Sequence, residues 1–237
     1  MRASLQPAFV LHRRSYRDSS LLVEAFACDH GRFGLVARGA SAPRSRWKGL
    51  LQPFAPLLLS WAGKGELATL TAAEDVGAPT PLPPNRVVAG LYVNELLIRL
   101  TPRLDPHPGL FAAYETLLLE LAAASGEEPP LRRFERRLLE ALGYGLTLDR
   151  EAANGAPIVA EERYRYVLDQ GPLLASQTQA GVPISGRGLL ALREGTLNDA
   201  AILREVKGLT RAALAEQLRG RVLKTRELYR TREPAPD

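Results

Sequence analysis

The segment from Gly31 to Pro53 concentrates the side chains best suited to bind an anionic partner. It contains five cations, one tryptophan and no acidic residue. Cations neutralise phosphates and an aromatic ring can stack on an unpaired base, so this combination suits a nucleic-acid strand. A solvated loop would carry the same charges, and the segment alone leaves both interpretations open. The cations are Arg32, Arg38, Arg44, Arg46 and Lys48, and the aromatic residue is Trp47.

Two further groups of cations could bind anions. Arg132, Arg133 and Arg136 lie among leucines on a predicted helix, where they form either a solvated face or a platform for an acidic peptide. The C-terminal tail is basic, with Lys224 and Arg226 near its centre. A membrane-binding helix would need a bulky apolar face that this tail lacks, so nucleic acid suits it better.

Residues typical of catalysis are sparse. His12, His30 and His107 are far apart and lack the spacing of metal ligands, and Cys28 has no obvious basic partner. The sequence contains neither a Gly-x-Ser-x-Gly elbow nor a phosphate-binding Gly-x-x-x-x-Gly-Lys-Ser/Thr loop. We therefore predict a protein that is not an enzyme and has no cofactor and no metal site.

Composition indicates an ordinary globular protein. The chain has 237 residues, a net charge of +5 and 46% apolar residues, and the basic excess is concentrated towards its two ends. A single cysteine excludes an intrachain disulfide bond. We see no signal-peptide core and no apolar run long enough to span a membrane, so we expect a cytoplasmic protein.

Five short strands precede any helical pattern, which predicts an α+β protein whose N-terminal domain is a small barrel. A basic loop after the third strand is compatible with an OB-fold, although periodicity alone does not exclude an SH3-like barrel. Lys64 lies in the glycine-rich turn between the last two strands, next to the basic loop in this arrangement. The strands are predicted at residues 7–12, 21–27, 32–38, 54–61 and 66–74.

A proline-rich break divides the chain. We predict a barrel domain at residues 1–78, a linker at 79–85 and a helical domain at 86–237. The helical domain comprises a three-helix core at 86–145, an irregular insertion with a β-hairpin at 149–185, and C-terminal helices with the basic tail at 186–237. The leucines of the third helix face inward in this scheme, and its arginines fall on the other faces.

Several segments, in the same order along the chain, resemble the bacterial RecO family of recombination mediators of the RecF pathway. The closest likeness is to the proteobacterial branch, which lacks zinc-binding cysteines. Each segment is weak alone, but together they span nearly the whole chain. The segments are Gly31–Pro56, Leu91–Leu97, Leu131–Glu135, Leu139–Gly145 and Leu223–Leu228.

This resemblance implies an N-terminal OB-fold, a helical domain and a non-enzymatic role in DNA repair and recombination. Such proteins bind single- and double-stranded DNA, anneal complementary strands, and act with RecR to load RecA onto DNA covered by single-stranded DNA-binding protein. They recognise the acidic, apolar C-terminal tail of that protein. Many relatives carry a four-cysteine zinc site after the third helix, but residues 149–157 contain no cysteine here, so we expect no zinc.

We therefore expect two binding sites. Arg132, with Arg133 or Arg136, would pair with the carboxylates of the partner's tail. Trp47 would either stack on a base or anchor the loop to the barrel. Two other functions remain as alternatives to a DNA-annealing mediator. One is an adaptor whose barrel binds a protein, with DNA binding incidental, and the other is a transcription regulator. The expected phosphate contacts are Arg32, Arg38, Arg44, Arg46, Lys48 and Lys64, extended by Lys224 and Arg226.

Overall fold

The N-terminal part of the chain is a closed five-stranded barrel with the strand order of an OB-fold. The computed structural model describes residues 2–63, 67–77, 81–123 and 126–230. Neighbouring strands are antiparallel, except that the third and fifth strands pair in parallel and complete the closure. This confirms the predicted barrel. The strands are β1 Arg2–Tyr16, β2 Ser20–Ala27, β3 Gly31–Ala37, β4 Pro56–Ala62 and β5 Leu67–Asp75.

Alternation along the strands separates an inner face from an outer face. Val23 and Ala25 of β2, and Phe33 and Leu35 of β3, fill the barrel together with Trp61 of β4. The residues between them along β2 and β3 therefore point outward. This separation decides which side chains can meet a ligand.

Strand β1 is much longer than its predicted six residues. Its pairing with β4 extends to Phe9, whereas its pairing with β2 continues to Tyr16, with a bulge between Val10 and His12. The β1–β2 hairpin therefore extends past the point where β1 leaves β4. Its end has polar residues on both faces, which explains why an apolar alternation does not reveal it.

Helices α1, Val87–Leu100, and α2, Pro108–Ala123, pack on the outside of the barrel. The rings of Phe9 and Phe26 lie 5.0 to 6.3 Å from those of Phe111 and Tyr114. The amide group of Asn94 donates to the Leu11 carbonyl at 2.8 Å and accepts from the Tyr114 hydroxyl at 2.7 Å. These buried contacts join both helices to β1 and β2.

The chain groups into two compact units, Met1–Ala124 with Leu223–Asp237, and Ser125–Val222. The predicted boundary at residues 79–85 stays a prediction, and residues 78–80 lie outside the described residues. The first unit also contains α6, Thr225–Arg230. The second unit contains α3 Glu128–Ala141, β6 Arg163–Val167, β7 Gly171–Leu174, β8 Val182–Ser185, α4 Gly186–Glu194 and α5 Ala200–Leu218.

The predicted β-hairpin of the second unit is confirmed, and it belongs to a three-stranded sheet with β6 in the centre. The sequence did not predict β8, because four residues that include Pro183 give no clear alternation. Ser185 ends β8 and caps α4 by accepting from the backbone N–H of Gly188. The C-terminal helices predicted within residues 186–237 begin with α4 and α5.

Substitution of Gly31 tests how the connection between α1 and α2 meets the barrel. Gly31 has a φ of +65°, and an added Cβ would lie 2.1 Å from the Asp105 carbonyl oxygen. Gly39 has a similar φ of +68°, but an added Cβ there meets nothing within 4 Å. We expect Gly39→Ala to cost about 1–2 kcal/mol for the left-handed conformation. Gly31→Ala should cost at least ~1 kcal/mol more, because the backbone of Asp105 must move.

Denaturant unfolding of the two variants measures this difference. Equal losses in free energy of unfolding would contradict the close approach of Asp105 to β3.

Candidate nucleic-acid interface

The basic loop between β3 and β4 is a series of tight turns. Backbone hydrogen bonds join Ala42 to Gly39, Ser45 to Ala42 and Lys48 to Ser45, at 3.0 to 3.2 Å. The glycine, alanine, serine and proline content suits such turns. The loop is therefore held by its own backbone as well as by the barrel.

Trp47 anchors this loop to the barrel. Its side chain is only 6% exposed and belongs to the barrel core. The indole N–H donates to the Arg38 carbonyl at 3.2 Å, and the Arg46 guanidinium lies 4.1 Å from the ring centroid. Of the two alternatives that the sequence left open, this burial favours the anchor, because a buried ring offers no face to a base.

The other cations of the loop face solvent. Arg38, Arg44, Arg46 and Lys48 are all exposed, and Arg46 donates to the Thr71 carbonyl at 3.2 Å. Across the described part of the chain, the side chains of Arg38, Arg44 and Lys48 have no ion-pair partner. Exposed cations without neighbouring carboxylates can approach phosphates without first breaking another contact.

Arg32 is placed differently from the other predicted phosphate contacts. Its side chain is mostly buried, forms an ion pair with Glu24 and donates to the Thr101 carbonyl at 2.7 Å. Glu24 also accepts from Arg103 at 2.8 Å. Arg32 therefore connects the barrel to the end of α1 and is not positioned to meet a phosphate. Lys64, the other predicted contact on the barrel, lies outside the described residues.

The sequence-based assignment missed the cations of the β1–β2 hairpin. Arg13, Arg14 and Arg17 are exposed there, and the backbone N–H of Ser41 in the basic loop donates to the Ser19 carbonyl at 2.8 Å. That contact places the end of the hairpin beside the basic loop. The signal was three arginines within five residues, next to a single acidic residue, Asp18, but the strand was predicted to end before them.

The predicted contacts Lys224 and Arg226 are exposed at the start of α6. The Glu95 carboxylate of α1 accepts from the backbone N–H groups of Lys224 and Thr225 at 2.9 Å and from the Thr225 hydroxyl at 2.8 Å. Arg99 also donates to it, at 2.8 Å. Glu95 thereby fixes the first turn of α6 against α1.

These hydrogen bonds influence the titration of Glu95. Burial by itself would raise the pKa of its carboxyl, but the donors of Thr225, Lys224 and Arg99 outweigh burial and lower that pKa below its ordinary value of 4.5. The carboxylate therefore stabilises the docked α6 at neutral pH.

The arginines of α3 do not all lie on a solvated face. Arg132, which was predicted to face away from the core, is only 3% exposed. Its guanidinium lies 3.0 Å from the carboxylate of Glu135, which is 0% exposed, and 3.3 Å from the Thr210 hydroxyl of α5. The prediction of an outward Arg132 is wrong, because spacing does not show that Glu135 enters the same interface and needs a cation there.

The remaining arginines of α3 differ in exposure. Arg133 is half-buried and donates to the Gly195 carbonyl at 3.2 Å. Arg136 forms an ion pair with Glu140 at 2.6 Å, and Arg137 contacts the same carboxylate at 3.0 Å with a side chain that is 58% exposed. The outer part of this face therefore combines two cations with one carboxylate.

An OB-fold barrel with an exposed cationic loop and hairpin defines a candidate nucleic-acid-binding protein. Its sequence matches the N-terminal domain of recombination protein O over residues 1–79 and the C-terminal domain over residues 83–227. The chain belongs to the recombination protein O family, which confirms the resemblance and supports a role in DNA repair and recombination.

Individual relatives match nearly the whole chain. The DNA repair protein RecO of Nitrosococcus oceani is 48% identical over 229 residues, which cover 96% of this chain and 93% of the relative. That of Methylococcus capsulatus is 46% identical over 230 residues, or 97% and 94% of the two chains. The RecO protein of Haemophilus influenzae is 43% identical over 229 residues, or 97% of each chain.

Two further observations concern the described residues only. Among them, no group of three or more histidine, cysteine, aspartate or glutamate side chains is arranged to hold a metal ion. None of the helices in those same ranges is long and apolar enough to cross a membrane.

We predict that Glu95→Gln loosens α6, because one amide oxygen cannot replace two carboxylate oxygens as acceptors. The loss should be about 1 kcal/mol, the usual contribution of a helix cap, measured as reduced hydrogen-exchange protection of the Lys224 and Thr225 amides. In the unchanged protein, this protection should persist above pH 4.5 and fall as the pH drops through the lower pKa of the folded state.

Glu115→Gln is the matched control, since Glu115 is an exposed carboxylate on α2. Equal protection in the Glu95 variant and in this control would contradict the proposed cap.

Proposed function

We propose that this chain is a non-catalytic mediator of DNA repair that binds single- and double-stranded DNA and anneals complementary strands. The observation that carries the proposal is the set of exposed cations on an anchored loop of an OB-fold barrel. Family membership supports it, since the relatives are named as DNA repair proteins.

In this proposal, annealing requires neutralisation of the phosphate charges and no catalytic residue. Two strands repel through their phosphates, and cations on the barrel reduce that repulsion while the bases remain free to pair. Arg38, Arg44, Arg46 and Lys48 supply one group of cations. Lys224 and Arg226 supply a second group in the same unit, where Glu95 holds them.

The partners in this proposal are those that the resemblance implies. The chain acts with RecR in the cytoplasm to load RecA onto DNA covered by single-stranded DNA-binding protein. We assign no surface to RecR.

The acidic tail of the single-stranded DNA-binding protein is the proposed ligand of α3. Arg136 is the cation that we propose to meet its carboxylates, with the exposed Arg137 beside it. Glu140 pairs with both arginines, and the tail would displace it. Arg132 instead positions α3 against α5 through its contacts with Glu135 and Thr210.

We predict that the combined change Arg44→Ala, Arg46→Ala and Lys48→Ala weakens DNA binding and flattens its salt dependence. Each lost phosphate contact should reduce the log–log salt slope by about 0.7–0.9, so the slope should fall by about 2. Titrations of a labelled strand between low and moderate salt measure the slope. The rate of strand annealing, measured with and without single-stranded DNA-binding protein, should fall together with the DNA affinity.

The matched control changes Arg187, Arg193 and Arg204, three exposed arginines of the second unit, to alanine. It removes the same charge and should leave the slope nearly unchanged. An unaltered slope in the loop variant would remove the loop from the mechanism. Failure of the unchanged protein to anneal complementary strands would favour the adaptor function.

We predict that Arg136→Ala weakens binding of a peptide that contains the acidic tail of the single-stranded DNA-binding protein. The affinity should fall by about tenfold, which corresponds to the loss of one hydrogen bond between charged groups. Arg132→Ala should instead cost about 3–5 kcal/mol in stability, because Glu135 stays buried without this cation. Calorimetric titration measures the affinity, and denaturant unfolding measures the stability. Arg150→Ala, at an exposed arginine of the same unit, serves as the control.

Full peptide affinity in the Arg136 variant would exclude this contact. A fully stable Arg132 variant would contradict the structural role of its ion pair.

A further inference from the structure

A groove lies in the first unit where the chain leaves the basic loop. Its volume is about 340 Å³, and its apolar lining includes Leu50, Phe54, Leu57, Leu82 and Val87. It therefore joins the segment after the basic loop, strand β4 and the start of α1. A volume at the lower end of the range for ligand sites suits a few side chains of a bound segment.

The wall of this groove is fixed before any ligand arrives. Phe54 has a φ of +72°, a left-handed conformation that is costly for a residue with a side chain, so its surroundings hold it there. An added Cβ on Gly90 of α1 would lie 2.7 Å from a ring carbon of Phe54 and 2.8 Å from a methyl carbon of Leu82. The ring and Leu82 thus pack directly on the backbone of α1. A preformed wall lowers the cost of ordering the site on binding.

A single carboxylate sets the charge of the groove. Among the described residues that line it, Asp75 is the only charged one. Asp75 is exposed and forms no ion pair within the described ranges. Val76, which follows it, is 54% exposed and adds apolar surface next to the carboxylate. A carboxylate repels phosphates and anionic lipid headgroups, whereas an apolar segment with one cation is complementary to the groove.

We propose that this groove binds an apolar segment of a partner protein that contains a lysine or an arginine. The cation of the segment lies at Asp75, and its apolar side chains contact Leu50, Phe54 and Leu82. The inference goes beyond the proposed function, because it assigns a protein ligand to the first unit and does not depend on DNA binding. Since Leu50 follows Lys48 by two residues, the partner would lie next to the loop cations without using their side chains.

Selection from a library of random dodecapeptides displayed on phage tests the proposal with the full-length protein. Each round first removes phage that bind the variant Ala55→Leu, in which a larger apolar side chain occupies part of the groove. We expect the recovered peptides to share apolar residues and at least one lysine or arginine. Recovery of acidic peptides, of peptides without a cation, or of no peptide would overturn the inference.

Fluorescence anisotropy with a recovered peptide then tests the charge. Asp75→Asn should weaken binding by about threefold at low salt, a usual value for an exposed ion pair. The difference should disappear at high salt, because the ions of the solution screen the exposed pair. Asp18→Asn is the matched control, since Asp18 is an exposed aspartate between β1 and β2, and it should leave the affinity unchanged.

The same peptide tests the apolar contact. Leu50→Ala removes part of the apolar lining and should weaken binding by about fivefold. Leu119→Ala removes a leucine that is 61% exposed on α2 and should have no effect.

Equal affinity of the Leu50 and Leu119 variants, or of the Asp75 and Asp18 variants at low salt, would overturn the inference. Thermal unfolding identifies any variant that does not fold, and Leu50→Ala replaces Ala55→Leu in the selection if the latter fails this check. DNA binding by the loop variant described above has no influence on these outcomes. The groove assignment and the proposed function therefore fail separately.

Discussion

Closure of the barrel is the constraint on which the rest of this structure depends. The parallel pair of β3 with β5 and the antiparallel pair of β1 with β4 remove the edges of the sheet, and each strand then has one face inside. Each side chain that points outward must then be covered by another element, exposed to solvent or used to bind a ligand. Helices α1 and α2 cover part of the outer face with aromatic contacts, and the exposed cations lie on the loop and hairpin beyond them. Closure of the barrel therefore separates the outward side chains that stabilise the fold from those that can bind a ligand.

Arginines of similar sequence context have different roles because burial requires a partner. Arg32 and Arg38 are six residues apart, yet Arg32 is enclosed with Glu24 and Thr101, whereas Arg38 faces solvent. Arg132 and Arg137 differ in the same way on one helix. A buried guanidinium is tolerated only when carboxylates and carbonyls replace water, so these residues are structural. An exposed guanidinium keeps its capacity for an incoming phosphate or carboxylate.

The C-terminal end of the chain depends on a contact with a distant residue. A single carboxylate, Glu95, satisfies the first backbone N–H groups of α6 although about 130 residues separate them. Leu223 is buried beside this contact, and the rings of Tyr92 and Tyr229 lie 6.4 Å apart. The chain thus leaves the first unit for α3 to α5 and returns to it with Lys224 and Arg226 exposed. A loose basic tail would present the same charges without a defined position.

The sequence by itself determined the barrel, the main helices and the family, because alternation, helical spacing and short motifs are local patterns. It also identified the basic loop, since a run of cations is visible without coordinates. Only the tertiary structure decided that Trp47 is an anchor, that Arg32 and Arg132 are buried, and that the β1–β2 hairpin lies beside the loop. Those outcomes depend on partners such as Thr101 and Thr210, which lie 69 and 78 residues from their arginines. The burial of a charge is settled by what packs against it, and a local pattern does not contain that information.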